Sequence, residues 1–478
     1  MPFLLVLVLI VGALLRSIGL GSSFWIDEVF TVRDYVRLPV RELVTTYASE
    51  NQHPLYSLLA HFSVAAFGEH EWSVRLPALL FGVAGIAALH RLGRQVLGEP
   101  AALLAALLLA VSYHPIWFAQ NARGYTGLLF FTLLATSELI TLLRRAPEEP
   151  WKAAVLRYAL WFALAAYVHL TALFAFAGHG LVALWLAARG RADRRPLLAL
   201  ALGGAFALLL YAPMAGDVVR AFTARVEQRS SSVVRVVPWT HPSWALEQAL
   251  TSLGVGWGTL VAVALVAVLA GVGFVSLWRK ARLLLLLHVA GLPVALAFLL
   301  LLKRHLYPRF FFFEAGFAAL VVVQGALMSG GWLSCTLPGC RERRVGLWGV
   351  AVALLVASGS SLTLTRLYAH PKQDFIGARD FVEQRAGPSD VKAAVGPAKL
   401  ALPGYYAKSW TAIDDAGELE KLRAAAPRTW VVFALPEQLR AEQPVIAALL
   451  ERDFEEVATL PGSMNGGELH VVRSREPR

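Results

Sequence analysis

The sequence predicts an all-α polytopic membrane protein that carries a small C-terminal α/β domain. Three observations predict it. Of 478 residues, 57% are hydrophobic and only 16% are charged, where a soluble chain carries about 25% charge. Apolar runs close to the length of a bilayer-crossing helix recur along the first three quarters of the chain. The basic residues fall in short clusters between those runs, which is how membrane topology is written. The net charge of +11 is therefore read as orientation in a membrane, and no nucleic-acid partner is expected.

A helix needs roughly 20 apolar residues to cross a bilayer. Such runs lie near 2–20, 74–92, 101–119, 125–143, 153–168, 170–188, 196–213, 257–277, 283–302, 310–329 and 345–366, about eleven spans. The first run lacks a basic leading region and an A-x-A cleavage site, so it reads as a retained first helix. Arg16, near its outer end, runs against the charge rule. Basic clusters at Arg91/Arg94, Arg144/Arg145/Lys152, Arg189/Arg191/Arg194/Arg195, Arg279/Lys280/Arg282 and Arg341/Arg343/Arg344 all fall on one side of that span list. This places the N-terminus inside, and loops 21–73, 119–124, 214–256 and 303–309 outside, together with the C-terminal tail.

Segment 54–68 is apolar but short, and treating it as a span would invert every later loop. It is expected to be a re-entrant or interfacial helix. Beyond Arg366 charges appear throughout. Helix-like pieces (374–386, 415–425, 436–451) alternate with strand-like ones (391–395, 429–434, 455–460, 469–473), as in a small α/β domain. The division expected is 1–366 for the membrane domain and 367–478 for an extracytoplasmic domain. Cys335 and Cys340 are read as two reduced thiols in an inner loop, because a zinc site takes about four ligands.

The chemistry-bearing residues gather in the outer loops. Phe24-Trp25-Ile26-Asp27-Glu28 places two carboxylates beside an aromatic anchor just after the first span. A carboxylate there can be a general base, or ordinary solvated charge at a helix end. His53 precedes the helix-starting Pro54 and can be a ligand, a proton carrier or a polar anchor. Arg123 and Tyr125 sit in a polar turn between apolar runs, and Lys303, Arg304, Tyr307 and Arg309 form a second outer basic group. Outer positive charge is disfavoured by the topology rule, so it invites an anionic partner such as a lipid phosphate; snorkelling to headgroups is the plainer reading. His169, in YVHLTAL, is either a site residue or an interfacial histidine.

WIDEVF, NQHPLYSLLAHFSVAAFGEHEWSVRLPALLFGVAGIAALHRLGRQVLG, YHPIWFAQNARGYTGLLF and YVHLTALFAF together resemble the GT-C membrane glycosyltransferases. The likeness is to bacterial relatives of dolichyl-phosphate-mannose protein mannosyltransferases and to the aminoarabinose lipid A transferases. It covers about residues 20–190 well, and YPRFFFFEAGF less closely. It implies a sugar moved, with inversion, from a polyprenyl-phosphate carrier to a lipid, glycan or protein acceptor at the outer face of the cytoplasmic membrane. It maps the family's catalytic position, an acidic pair after the first span, onto Asp27 with Glu28 beside it. It maps substrate contacts onto His53 and Arg123, with Tyr125, His169, Tyr307 and Arg309 as further candidates. A divalent metal is in doubt, because Thr126 and Gly127 stand where some relatives carry another acidic residue.

Two rivals come from other classes. A transporter or flippase of lipid-linked sugars would also need many spans and a phosphate site. It would not need the carboxylate pair, and such proteins often show internal repeats, which this sequence lacks. A non-catalytic membrane scaffold is the other. No nucleophile elbow, phosphate loop or dinucleotide fingerprint occurs in the C-terminal region.

Overall fold

The computed structural model describes residues 2–146, 148–191, 193–228, 242–301, 307–336, 342–464 and 466–475. Lys303, Arg304, Cys340 and Arg341 lie outside the described residues, as do the side chains of Cys335, Arg343 and Arg344.

Within the described residues each of the eleven apolar runs is helical over most of its length. Among the described residues seven helices are long and apolar enough to span, and a bent pair, Glu99–Val111 with Tyr113–Ala119, makes an eighth if taken as one span. The other three, Pro2–Ser17, Lys152–Val168 and Ala172–Ala188, have 16 or 17 residues. At 1.5 Å per residue they reach about 25 Å, short of a hydrocarbon layer about 30 Å thick. The difference lies in the polar turns that end them, which the apolar runs alone did not delimit. On the longer helices, large apolar side chains such as Leu208, Leu260, Val261 and Leu355 stand 70–74% exposed, a surface suited to lipid.

Two local features shape the end of the bundle where the site lies. The helix Glu99–Val111 breaks by 61° before Tyr113–Ala119. Pro115 cannot donate to the carbonyl of Val111 and its ring crowds it, so the chain turns there. Arg16, the charge anomaly of the first helix, is buried and caps that break. It donates to the carbonyls of Ala110 at 2.9 Å and Leu109 at 3.1 Å, so it is a structural staple and not an exposed charge.

Segment Pro54–Phe67 is a 14-residue apolar helix that packs on Glu71–Leu97. Farther along, helices Leu260–Lys280 and Ala315–Thr336 pack backbone to backbone. A Cβ on Gly273 would stand 1.9 Å from the carbonyl oxygen of Val321, so only glycine permits that approach.

After the helix Leu364–Ala369 comes a five-stranded sheet. Its strands are β1 (Val391–Val395), β2 (Thr411–Ile413), β3 (Thr429–Ala434), β4 (Phe454–Leu460) and β5 (Leu469–Ser474), in the order β2-β1-β3-β5-β4. β2, β1 and β3 are parallel, while β5 runs antiparallel to β3 and β4. β2 is the strand the sequence pattern did not show, being only three residues long. Alternate residues face opposite sides. Val431 packs with Leu419, Leu439 and Ile446 on the helices Ala416–Ala425, Pro436–Glu442 and Pro444–Asp453. Trp430 and Val432 join the apolar core that continues through Phe375 into the helical bundle. The sheet unit is thus joined to the bundle by a shared core.

Candidate active site

The loop after the first helix starts a short helix, Ile26–Thr31. Glu28 is its third residue and folds back, its Oε2 accepting the Trp25 N–H at 2.8 Å. Successive helical residues point about 100° apart. Glu28 therefore faces inward and is fully buried, whereas the Asp27 side chain keeps 29% of its surface.

Glu28 joins four segments. Arg75 Nε donates to Oε1 and Arg75 Nη2 to Oε2, both at 2.8 Å, in a bidentate pair. The Ala122 N–H donates to Oε1 at 2.6 Å, and Lys372 Nζ lies 3.4 Å from Oε2. Burial alone would push this carboxyl up. Arg75 and Lys372 outweigh burial and hold it down at about 2, so Glu28 is a fixed anion. Burial, opposed by Glu28, brings Lys372 down to about 7. The two directions agree physically, since Arg75 already satisfies both carboxylate oxygens and the lysine is a second, weaker cation.

Asp27 faces the other way. Its Oδ2 lies 2.8 Å from Arg123 Nη1 and 4.0 Å from Arg309 Nη1. Arg123 comes from the turn between Tyr113–Ala119 and Tyr125–Arg144, closed tightly by Gly124. Its Nε donates to His53 Nε2 at 2.9 Å, and its Nη1 donates to Asn51 Oδ1. Asn51 Nδ2 in turn donates to the Asp27 carbonyl at 3.0 Å.

The histidine tautomer follows from its partners. His53 Nδ1 donates to the Val168 carbonyl at 3.2 Å, which leaves the Nε2 lone pair for Arg123. His169 stacks near it, ring centroids 4.5 Å apart, and 4.8 Å from Tyr125. Its Nδ1 accepts from the Thr171 hydroxyl at 2.9 Å. Burial, with Arg123 adding to it, keeps both imidazoles neutral: His53 well below the ordinary range and His169 at about 3.

These residues border two cavities. Asp27, Asn121, Arg123, Tyr125, Tyr307 and Arg309 line one of about 570 Å³, whose other walls are largely aromatic and apolar, with Trp117 and Phe312 among them. His53 and His169 line a second of about 510 Å³ that is mostly apolar, with Phe174 and Phe298 in its wall. Tyr307 also stacks beneath Arg309, whose guanidinium carbon is 4.5 Å from the ring centroid.

The structure thus gathers Asp27, Arg123, Tyr125, Tyr307 and Arg309 on the wall of the first cavity, and places His53, bonded to Arg123, and His169 on the wall of the second. Glu28, grouped with Asp27 in the sequence reading as catalytic, is placed behind the first wall and does not reach that cavity. Asn51, Arg75, Lys372 and Gln373 were missed. Asn51 and Arg75 stood within the stretches that carried the family resemblance, but nothing marked their roles. Lys372 is 344 residues from Glu28 in sequence, and no local pattern pointed to it. Among the described residues no three His, Cys, Asp or Glu side chains gather as a metal site. Asp27 Oδ2 and His53 Nε2 both face Arg123, a cation that stands where a metal ion would have to sit, so these two residues do not fit a metal as a pair.

The family described as dolichyl-phosphate-mannose-protein mannosyltransferase matches residues 51–216. The structure of ArnT from Cupriavidus metallidurans bound to undecaprenyl phosphate is 14% identical. It superposes with a TM-score of 0.55 over 98% of this chain and 97% of that one. The fold is that of the GT-C glycosyltransferases. A second structure, the archaeal oligosaccharyltransferase AglB from Archaeoglobus fulgidus in complex with an inhibitory peptide and a dolichol-phosphate, gives 13% identity. Its TM-score is 0.51 over 94% of this chain and 72% of that one. In sequence, YkcB of Bacillus subtilis (strain 168), provisionally named a mannosyltransferase, is 27% identical over 158 residues. That match covers 30% of this chain and about a fifth of that protein's length, 21%.

Proposed function

We propose that the chain is an inverting glycosyltransferase. It moves a sugar from a polyprenyl-phosphate carrier to an acceptor hydroxyl on a lipid, glycan or protein at the outer face of the cytoplasmic membrane. One observation carries the reading. A carboxylate, Asp27, and two guanidiniums, Arg123 and Arg309, meet on the wall of a cavity that Glu314 also lines and whose remaining lining is largely aromatic and apolar. Such a place suits an anionic headgroup whose tail is a hydrocarbon. The lipid phosphates named in the ArnT and AglB structures support this choice of carrier.

The step balances simply. The acceptor oxygen attacks the anomeric carbon from the face opposite the phosphate. The carbon–oxygen bond to phosphate breaks, and its electron pair leaves with the phosphate. Arg123 and Arg309 stabilise the charge that builds there. Asp27 takes the acceptor proton. His53 and Asn51 hold Arg123, and Glu28 holds the loop. The basic clusters between spans support an inside N-terminus, and residues 367–478 form an extracytoplasmic domain in this reading.

The test is direct. Purified protein is supplied with a panel of radiolabelled polyprenyl-phosphate sugars, and release of lipid phosphate is followed with acceptor extracts. Turnover of one donor, lost in Asp27→Asn, is expected. Binding without any turnover across the panel, unchanged by Asp27→Asn, would overturn the assignment and favour a carrier.

A further inference from the structure

The segment between the last helix of the bundle and the sheet unit runs through residues 370–374. It is far from Asp27 in sequence, yet it lies between the two turns that build the site. Lys372 and Gln373 are both buried, 4% and 0% exposed. Gln373 Oε1 accepts the N–H of Ile26, the residue before Asp27, at 2.9 Å. The Gln373 carbonyl accepts from the Ser23 hydroxyl at 2.5 Å. On its other side Lys372 Nζ donates to the carbonyl of Gln120, three residues before Arg123, and lies 3.4 Å from Glu28 Oε2. It also stands 5.1 Å from the ring centroid of Trp117, which lines the Asp27 cavity.

The sheet unit adds a second tie at the same place. The Ser463 N–H donates to the Pro371 carbonyl at 2.9 Å. The Ser463 carbonyl accepts from the Tyr113 hydroxyl, and its Oγ accepts from Trp117 Nε1 at 3.3 Å. Met464, next in the chain, is part of the cavity wall. A flexible tether would need none of this. Taking an ammonium group out of water is expensive, and Glu28 already has a bidentate arginine. A buried lysine here is better explained by what it holds apart and together.

We propose that Lys372 and Gln373 are positioning residues for the transfer reaction, a spacer that sets Asp27 and Arg123 in register. The C-terminal unit is then a working part of the site. This rests on the assignment of Asp27 and Arg123 to catalysis. The catalytic loop bonds to one side of the spacer and the arginine turn to the other. A shift of either side moves the carboxylate relative to the guanidinium.

The experiment uses the full-length protein in the lipid-phosphate release assay, with turnover expressed per folded molecule. Lys372→Met and Gln373→Met are compared with wild type, and Lys372→Arg serves as the conservative variant. A misplacement of the order of 1 Å costs about 10–100-fold. The expected result is a loss of kcat in that range with KM for the lipid donor little changed, and partial recovery in Lys372→Arg. Loss of folded protein with unaltered kcat in what remains would overturn the proposal, as would wild-type kcat in both variants. If Lys372→Met does not fold, Gln373→Met decides. If wild type turns over no donor, the enzyme reading fails instead; wild-type turnover with indifferent variants fails the spacer alone.

Discussion

Arg123 Nη1 lies 2.8 Å from Asp27 Oδ2, and the same guanidinium gives its Nε to His53 at 2.9 Å. The carboxylate that would take the acceptor proton is thus engaged by the cation that would hold the donor phosphate. A phosphate group competes for such a guanidinium with the same planar geometry. Donor binding would draw Arg123 toward phosphate and free a lone pair on Asp27, so the base becomes available when the donor is in place.

Asp27→Asn keeps the shape and cannot take the proton. Turnover should fall about 10²–10⁴-fold. Donor binding, measured with a labelled polyprenyl-phosphate sugar, should survive. Near-normal turnover in this variant, with Glu28→Gln dead even in its folded fraction, would reverse the roles given to the two carboxylates.

Arg123 and Arg309 should not be equivalent. Each supplies a charge-assisted contact worth roughly 1.5–3 kcal/mol in donor binding. Arg309 has 41% of its side chain exposed and Arg123 only 7%, so Arg309→Ala should sit at the low end. Arg123→Ala also leaves His53, Asn51 and Asp27 without their partner and should cost more in kcat as well. Donor titrations and single-turnover rates on both variants check the order.

Glu28→Gln should damage the fold before the chemistry. Removing one partner of a buried pair costs about 3–5 kcal/mol, here by stranding Arg75 and Lys372. The pH dependence has a definite sign. Held at about 2 in the fold against 4.5 ordinarily, Glu28 contributes its stability in full above about pH 4.5, and that contribution is lost as pH falls toward 2. Thermal unfolding in detergent across that window should show a steeper acid loss in wild type than in Glu28→Gln.

Gly124→Ala tests the turn that presents Arg123. A Cβ there would stand 2.2 Å from the Val168 carbonyl oxygen, which also accepts from His53 Nδ1. Something must move, at a cost of about 1–3 kcal/mol. Both Arg123 and His53 should lose register, so turnover should fall even in the folded fraction.

Orientation is open to chemical labelling. In a background without Cys335 and Cys340, single cysteines at exposed positions between 400 and 470 should react with an impermeant maleimide in intact cells. Protection at all of them would invert the topology.

Apolar runs were enough to read the helical bundle from the chain, and alternating helix-like and strand-like pieces the small α/β unit. Both are local properties, since a span is set by about 20 consecutive residues and a strand by alternate ones. Even Pro115, which breaks the helix, and Pro54, which starts one, act on their own neighbours. Which carboxylate of an adjacent pair faces the cavity is not local. Asp27 and Glu28 differ because Arg75, the Ala122 N–H and Lys372, distant in sequence, converge on one of them. Buried charge is stable only with its partners around it, and those partners are assembled by packing. The chain alone shows a carboxylate pair, two arginines and two histidines in the turns beside apolar runs; which of them meet is set by packing, because the bonds that orient them join segments up to 350 residues apart.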